Sequence, residues 1–388
     1  MQLPAAFDVV DLDASVLPQR SPLAVTEQPP TVATAIAEIL ERGVRQGRTL
    51  DEGYRRLWAE LGAATEDGKR LRPALFEVGY RSWGGTDARA ASVVAAAIEL
   101  LHTAFVLHDD VIDGDDRRRG RLNVSGTHAA LARARGADDA RAREYGVAAG
   151  ILAGDLALTA ALRAVATCPA PRTTVHRLLD LFDETLHATA AGELADVRLS
   201  LRTGAISVEE TLRMAERKTA VYSFSLPLQA AAVLAHGSED DSPENPGLNA
   251  AHNSAIDTVA AAGTVGRLLG TSFQLVDDLL GVFGDPARTG KSSLSDLRSG
   301  KQTALIVHAR GTSVWSQVAP HIGNPDLTER DGERVRHLLD ACGSRDFVRG
   351  LATRHARDAL TLAVTSGLPP MLVSWLHETT RETLGRAA

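Results

Sequence analysis

Cysteine and aromatic residues are scarce in this sequence. Only two cysteines, Cys168 and Cys342, occur among 388 residues, too few for a disulfide framework or a cysteine-based metal site. Aromatic residues make up 4% of the chain and hydrophobic residues 44%, so the core must consist mainly of Ala, Leu and Val. We therefore expect close helix packing and a cytoplasmic location, where thiols stay reduced.

Positive charge and long apolar runs are also scarce. The formal net charge of −7 argues against a nucleic-acid-binding protein, because affinity for a phosphate backbone needs a broad basic surface. The longest uncharged stretch, Thr219–Ala235, contains Pro227 and Gln229 and hardly reaches the length that spans a bilayer. Residues 1–30 have no Lys or Arg before Arg20, so they do not form a signal peptide. We expect no stable membrane insertion.

Apolar residues recur mainly at helical spacing, and no convincing alternating strand pattern is present. The sequence therefore predicts an all-α protein, a single large helical bundle with a central cavity. No break in composition separates its two halves, so we predict one helical domain at 31–388 after a flexible arm at 1–30. The segments Arg133–Arg143 and Gly284–Gly300 are predicted to be loops.

The most informative segment is Leu100–Arg121, in which Asp109, Asp110 and Asp113 precede three consecutive arginines. Asp109 and Asp113 are four residues apart, so on a helix they project from nearly one face. Like charges this close repel one another unless cations bind there, and Mg²⁺ prefers oxygen ligands and usually keeps a substrate phosphate in its shell. Arginines supply planar forks for phosphate oxygens. Alone, the segment is equally consistent with a solvated charged loop.

A second pair of carboxylates, Asp277 and Asp278, lies late in another apolar helix. The loop after it contains Lys291, Asp296 and Lys301, and an upstream element that begins at residue 68 reads GKRLRP. We call Asp109, Asp110 and Asp113 the first acid cluster, and Asp277 and Asp278 the second. Two such clusters, each followed by basic residues, predict opposing carboxylates that bind divalent ions around a diphosphate.

On these motifs the chain resembles the trans-isoprenyl diphosphate synthases, or polyprenyl synthetases, and most of all their actinobacterial geranylgeranyl and farnesyl diphosphate synthases. Matching pieces run from about residue 68 to 302. They comprise GKRLRP, the motif DDVID that starts at Asp109, the pair Arg118–Arg119, Lys218–Thr219, the motif DDLLG that starts at Asp277, and the loop GDPARTGK. The resemblance implies a helical bundle of the isoprenoid synthase type.

The resemblance also implies a reaction and a set of site residues. A short-chain trans-prenyltransferase condenses isopentenyl diphosphate with an allylic diphosphate (dimethylallyl, geranyl or farnesyl), uses several Mg²⁺ ions and is a homodimer. The implied metal ligands are Asp109, Asp110, Asp113, Asp277 and Asp278. The implied catalytic residues are Asp109, Asp113, Lys218 and Asp277.

The basic and polar residues implied by the resemblance divide between two diphosphates. Those expected at the allylic diphosphate are Arg118, Lys218 and Lys291. Those expected at isopentenyl diphosphate are Lys69, Arg72, His102 and Arg119. Thr219, Gln274 and Lys301 complete the implied substrate-binding set, the first and last by ordering the loop over the diphosphate.

Two positions depart from the family pattern. Gly281 stands where many relatives carry a third aspartate, and Glu193 stands where the family usually has glutamine before Asp196. Two alternatives therefore remain open. A class I terpene cyclase shares the metal-triggered ionisation but binds one diphosphate, and a non-catalytic regulatory subunit of a heteromeric synthase would need no complete site.

Product length is expected to depend on residues one turn before the first acid cluster. Phe105 precedes Asp109 by four residues and so lies beneath it on the same helix face, where a ring can close the tunnel. This predicts a C15–C20 product, and the actinobacterial resemblance favours geranylgeranyl diphosphate. The alternative is that Phe105 simply packs between helices.

Overall fold

The structure is a computed structural model of the chain and describes residues 30–66, 68, 70–201, 204–237, 246–284 and 294–386. In these ranges the protein is all-α, as predicted, apart from one short hairpin. Its strands, β1 (Arg117–Arg118) and β2 (Arg121–Leu122), are antiparallel, with Arg118 opposite Arg121. The arm predicted at 1–30 lies outside the described residues except for Pro30, and the single-domain assignment stays a prediction.

The first half of the chain forms long helices joined by short turns. They are α1 (Val32–Gly47), α2 (Glu52–Glu66), α3 (Leu71–Ser82), α4 (Ala88–Ile112), α5 (Val124–Ala134), α6 (Asp139–Ala166), α7 (Arg172–Ser200), α8 (Val208–Ala215), a π-helix (Glu216–Ser225) and α9 (Leu226–His236). Asparagine and aspartate side chains begin α4, α5 and α6, because they accept hydrogen bonds from N–H groups of the first turn.

The second half begins with the longest helix and continues in shorter ones. They are α10 (Pro246–Phe283), α11 (Ser295–Ser299), α12 (Ala304–Arg310), α13 (Trp315–Val318) with the 3₁₀ turn Ala319–His321, α14 (Glu329–Ala341), α15 (Ser344–Thr365) and α16 (Pro370–Arg386). α10 packs against the π-helix, α9 and α15.

Two segments predicted as loops contain helix. Arg133–Arg143 holds the end of α5 and the start of α6, because Asp138 caps α6 and its mixed charges lie on exposed helix faces. Within Gly284–Gly300, the residues of α11 are helical, anchored by Leu294 and Leu297, which are buried in the core. The charge pattern did not distinguish these helical residues from loops, since solvated charges are equally common in loops and on helix surfaces.

Small residues set the spacing of the central helices. α4 is almost entirely buried and packs along α6, where a side chain at Gly154 would meet the ring of His108 and one at Gly150 would meet Val111. Alanine and glycine at these contacts have side chains small enough to let the two helix backbones approach closely. The core rich in small aliphatic side chains that the composition predicts is therefore confirmed.

Among the described residues, two helices, α4 and α6, are long and apolar enough to cross a membrane by length and composition alone. In α4, 78% of the most apolar window is buried inside the protein, as in the core helix of a folded domain. In α6 the buried share is 44%, and Tyr145, Val147, Ile151 and Leu152 are exposed. One or two such helices are weak evidence for a membrane span.

Candidate active site

The first acid cluster occupies the last turn of α4. Asp113 ends the helix, and its N–H donates to the carbonyl of Asp109 at 2.8 Å. Gly114 follows with φ 71°, the left-handed conformation that commonly ends a helix. A helix C-terminus carries partial negative charge, so three acids there need nearby cations.

Asp110 is the most buried member of the first acid cluster, and it pairs with Arg118. It is 2% exposed, and its Oδ1 accepts hydrogen bonds from Arg118 Nε at 2.9 Å and Nη2 at 2.7 Å. Arg118 Nη2 also lies 3.5 Å from Asp109 Oδ2. The predicted metal ligand Asp110 and the predicted diphosphate ligand Arg118 thus bind each other, and both roles stay predictions.

Lys218 joins the first acid cluster to α7. Its Nζ lies 3.1 Å from Asp109 Oδ1, 3.0 Å from Glu193 Oε2 and 2.7 Å from Asp196 Oδ2. Burial tends to lower the pKa of Lys218, but the three carboxylates outweigh it and raise the pKa above its usual value. Lys218 is therefore a permanent cation that three acids share.

The local backbone explains how one lysine reaches three carboxylates. Lys218 and Thr219 lie in the π-helix Glu216–Ser225, a rare widened helix that often marks a functional site. α7 approaches this segment closely, since a Cβ on Gly192 would be only 2.3 Å from the Lys218 backbone nitrogen. Glycine at 192 therefore brings the adjacent Glu193 within reach.

The second acid cluster lies near the end of α10. Asp277 is exposed, whereas Asp278 is half-buried and its Oδ1 accepts a hydrogen bond from Gln274 Nε2 at 2.7 Å. Burial raises the pKa of Asp278 to about 8, against the effect of the Gln274 hydrogen bond and with help from the charges of Asp296 and Asp277. Gln274 thus contacts the second acid cluster, and its role in substrate binding stays a prediction.

Lys301 pairs with the first acid cluster. Its Nζ is 3.0 Å from Asp113 Oδ2. Although burial tends to lower its pKa, Asp113, Asp296 and Asp109 raise it overall. Asp296 also acts on Asp278, so the two acid clusters border one region that contains Lys218 and Lys301.

The described part of the chain contains no set of three acids, histidines or cysteines close enough to hold a metal ion by themselves. The carboxylates nevertheless suit a hard cation that also binds diphosphate, because Mg²⁺ typically takes one or two carboxylates and completes its shell with phosphate oxygens and water. Asp109 Oδ1 is buried and lies 3.1 Å from the Lys218 ammonium group. Such an oxygen is suited to face a cation.

Beside the first acid cluster lies a cavity of about 920 Å³. Its lining includes the hairpin β1–β2, α3, α4 and the C-terminal helix α16. Arg119 lies at the hairpin turn with φ 51°, followed by Gly120 with φ 77°, the paired left-handed residues of a tight hairpin turn. The arginines in its lining are Arg70, Arg72, Arg118, Arg119, Arg121 and Arg386.

Three lining residues contain buried polar atoms without a hydrogen bond among the described residues. They are His102 Nδ1, Glu99 Oε2 and Glu60 Oε2, of which the last lies 2.9 Å from His128 Nδ1. Burial, followed by the charges of Arg72, Arg118 and Arg119, holds the pKa of His102 well below its usual value. His102 therefore offers a neutral ring, a hydrogen-bonding partner but not the positive charge that its place among the basic residues implied.

The structure describes most of the predicted site residues but not all. Lys69 and Lys291 lie outside the described residues. Arg72 Nη2 donates to the hydroxyls of Ser223 at 2.8 Å and Tyr222 at 3.3 Å. It therefore borders the cavity from a fixed position.

Comparison with known proteins identifies the family of this chain. The sequence model of the polyprenyl synthetase family matches residues 60–330. The chain belongs to this family. It is 29% identical over 327 residues to a (2E,6E)-farnesyl diphosphate synthase of Mycobacterium tuberculosis, covering 83% of this chain and 80% of that protein. It is 33% identical over 330 residues to a geranylgeranyl diphosphate synthase of Sulfolobus acidocaldarius, covering 81% and 87%.

A solved structure supports the same conclusion about the fold. Geranylgeranyl pyrophosphate synthase from Corynebacterium glutamicum, complexed with isoprenyl diphosphate and magnesium, superposes with a TM-score of 0.80 at 26% identity. The match covers 92% of this chain and 97% of that one. The protein is therefore an all-α polyprenyl synthetase and a prenyltransferase, as the sequence motifs indicated.

Tyr222 is a site residue that sequence reasoning missed. Its ring stacks on His102 with centroids 5.8 Å apart, contacts Phe105 at 5.0 Å and lies under the Arg72 guanidinium at 4.9 Å. The sequence signal that could have pointed to Tyr222 is its position four residues after Lys218, because residues four apart on a helix lie next to each other on its surface.

The shared charge of Lys218 generates a stability prediction. In a Lys218→Met variant three half-buried carboxylates lose their common cation, so we expect the free energy of unfolding to fall by about 3 kcal/mol. Adding Glu193→Gln to that variant removes one of the repelling charges and should restore about 1 kcal/mol. Urea unfolding without divalent ions measures both effects in the wild type, Lys218→Met, Glu193→Gln and the double variant.

Arg213→Met is the matched control, because Arg213 pairs with Glu209 on an exposed face of α8. Its loss should change the free energy of unfolding by less than about 0.5 kcal/mol. If Lys218→Met were as stable as this control, the three carboxylates would not depend on Lys218.

Proposed function

We propose that this polyprenyl synthetase condenses isopentenyl diphosphate with allylic diphosphates and releases diphosphate, yielding a C15–C20 product. One observation carries the proposal: the two acid clusters border a common region, and an arginine-lined cavity adjoins the first of them. One diphosphate with Mg²⁺ fits the acidic region, and a second diphosphate without metal fits the cavity.

The acidic region suits ionisation of the allylic substrate. Mg²⁺, several ions per site, would neutralise the negative charge that develops on the leaving diphosphate. Asp109, Asp113 and Asp277 would bind these ions, with Asp110 and Asp278 in support. Lys218 and Lys301 already lie among the acids, so a diphosphate entering there meets two fixed ammonium groups and needs little rearrangement of charge.

The cavity suits a diphosphate that must stay intact. Arg72 and Arg119 border it, and His102 contributes a neutral ring nitrogen. Guanidinium groups bind phosphate oxygens through paired hydrogen bonds but do not draw electrons as a metal cluster does. The C–O bond of isopentenyl diphosphate therefore stays intact while the double bond of the same molecule attacks the allylic cation.

This arrangement also favours a synthase over the two alternatives. A class I terpene cyclase binds one diphosphate and has no use for a second arginine-lined cavity. A regulatory subunit would not need both acid clusters with their lysines. Loss of the product proton needs no dedicated base on the protein, because the departing diphosphate can accept it.

The direct test is incubation of the purified protein with Mg²⁺, labelled isopentenyl diphosphate and each allylic primer in turn. We expect elongation with at least one primer. In Asp109→Asn the turnover rate should fall by roughly two orders of magnitude or more, because charge stabilisation in the transition state is removed. Chromatography of the labelled products over time measures both.

Asp257→Asn is the control, since Asp257 lies on an exposed face of α10, and it should keep wild-type turnover. Cyclised hydrocarbon formed from an allylic diphosphate alone would indicate a cyclase instead. Turnover that appears only after a different synthase subunit is added would indicate a regulatory partner.

We base the proposed product length on two aromatic rings that lie one helical turn from the acidic region. Asp109 and Lys218 approach to 3.1 Å, and Phe105 and Tyr222, each four residues away, meet edge-to-face at 5.0 Å between centroids. The two rings thus span the space between α4 and the π-helix beneath the site of ionisation. Members of this family make products of several chain lengths, so family membership does not fix the product of this protein. The two rings are our basis for proposing a short product, with geranylgeranyl diphosphate as the favoured one.

Phe105→Ala should lengthen the main product by one or more C5 units, since it removes half of this floor, and one helical turn of about 5.4 Å approximates one isoprene unit. Product chromatography with geranyl and farnesyl primers measures the change. Phe347→Ala is the control, because the Phe347 ring stacks on His308 at 4.1 Å and not on either ring of the floor. An unchanged product profile in Phe105→Ala would mean that this ring only packs between helices.

We also propose that the protein is a homodimer in the cytoplasm. The support for the dimer is the apolar face of α6, where Tyr145 is 44%, Ile151 43% and Leu152 54% exposed. Several apolar side chains exposed on one helix are typical of an interface, and a second copy of the chain offers the same surface in return. The two free cysteines support a reducing compartment.

Sedimentation equilibrium should therefore give about twice the 41.1 kDa of one chain. Ile151→Glu buries a charge in the proposed interface and should shift the mass toward that of the monomer. Ile256→Glu is the control, because Ile256 is 52% exposed on α10. A monomeric wild type, or a dimer that Ile151→Glu leaves intact, would contradict the proposed interface.

A further inference from the structure

Lys301 lies in a short turn between α11 and α12 and not in a helix. Gly300 follows α11 with φ 73°, and α12 begins only at Ala304. The Lys301 N–H donates to the carbonyl of Asp296 at 3.1 Å, which joins the turn to α11. The direction of the Lys301 side chain, whose Nζ lies 3.0 Å from Asp113 Oδ2, therefore depends on what holds this turn in place.

The side chain of Gln302 holds the turn from inside the protein. Gln302 follows Lys301 directly and is 4% exposed. Its Nε2 donates to the Gly300 carbonyl at 2.7 Å, and its Oε1 accepts a hydrogen bond from Arg310 Nη2 at 2.6 Å. A buried amide needs partners at both ends, and here one partner is the turn and the other is the last residue of α12. Gln302 therefore joins the turn that carries Lys301 to the far end of α12.

Arg310 extends this connection to the end of α7. Its Nη1 donates to the carbonyl of Gly204, in the segment that follows α7, at 3.3 Å. The guanidinium also lies over the Trp315 ring, 5.1 Å from its centroid. Val307 of α12 and Leu199 of α7 belong to one small buried cluster. A polar and an apolar contact thus join α12 to α7, the helix whose acids share Lys218.

The contacts of Gln302 and Arg310 among the described residues are with backbone carbonyls, with each other and with Trp315. The acceptors of both Arg310 hydrogen bonds are neutral oxygens, so its guanidinium does not pair with either acid cluster. An effect of the two residues on the first acid cluster must therefore pass through the position of Lys301.

We propose that Gln302 and Arg310 form a brace that holds the Lys301 ammonium group against the first acid cluster, where the allylic diphosphate is expected. Both are then positioning residues, since neither needs to touch the substrate. A fixed ammonium group loses less conformational freedom when a diphosphate arrives than a mobile lysine does. Loss of the brace should therefore weaken diphosphate binding only while Lys301 is present. This role rests on the proposed function, whereas the hold on Lys301 beside Asp113 does not.

A double-variant cycle tests the brace with the wild type, Gln302→Leu, Lys301→Met and the double variant. Calorimetric titration with inorganic diphosphate in Mg²⁺ measures the dissociation constant of each protein. Gln302→Leu should raise this constant about fivefold and Lys301→Met about tenfold. The double variant should bind within about twofold of Lys301→Met, because residues that act through one another are not additive. A merely structural role of Gln302 would instead multiply the two effects to about fiftyfold.

Arg310→Met is a second variant, which keeps an apolar stem over Trp315 but donates no hydrogen bond. It should raise the dissociation constant about threefold and should have no further effect when combined with Lys301→Met. It carries the same test should Gln302→Leu fail to fold. Gln317→Leu is the matched control, because it makes the same change at an exposed residue of α13, and it should bind diphosphate as the wild type does.

Melting temperature without divalent ions reports the hold on Lys301 without any ligand. Gln302→Leu should lower the melting temperature of the wild type by about 3 °C, because the buried groups that it bonds lose their partner. It should lower that of Lys301→Met by about half as much, since the contact between Lys301 and Asp113 is then already lost.

The brace would be overturned by Gln302→Leu that binds diphosphate as tightly as the wild type, or by a double variant with the fiftyfold loss. A wild type that binds no diphosphate in Mg²⁺ would instead overturn the proposed function. The hold on Lys301 would then be decided by melting temperature, and it fails if Gln302→Leu lowers this temperature equally with and without Lys301.

Discussion

The site is organised by negative charge placed at the ends of two helices. The first acid cluster ends α4 and the second lies close to the end of α10, where the helix dipole already adds negative potential. Such an arrangement is unfavourable unless cations are present. Lys218, Lys301 and Arg118 provide them within the protein, and the same field attracts divalent ions.

Stability and function therefore draw on the same contacts. The three carboxylates around Lys218 hold α4, α7 and the π-helix together, and they also keep an ammonium group where a diphosphate is expected. Binding a metal–diphosphate complex exchanges one set of ion pairs for another. Because the acids and lysines are held by buried helices, little reorganisation is needed when charge develops on the leaving group.

In the proposed reaction the two substrates are separated by the kind of positive charge that receives them. Acid clusters that bind divalent ions would promote ionisation of one diphosphate. The arginine-bordered cavity would offer the other diphosphate guanidinium groups and the neutral ring of His102, and so would leave its C–O bond intact. Tyr222 connects the two parts, since it contacts His102 and Arg72 on one side and Phe105 on the other.

The sequence alone determined the fold class, the family and the residues of both acid clusters, because helical periodicity and the Asp109 and Asp277 motifs are local in the chain. It did not reveal α5, the pairing of Asp110 with Arg118, or the contacts of Tyr222. The contacts of Tyr222 join residues far apart in the chain, and the pair of Asp110 and Arg118 forms only because the hairpin folds back on the end of α4. Only the tertiary structure decided that Lys218 is shared by three carboxylates, since this follows from how closely α7 approaches the π-helix.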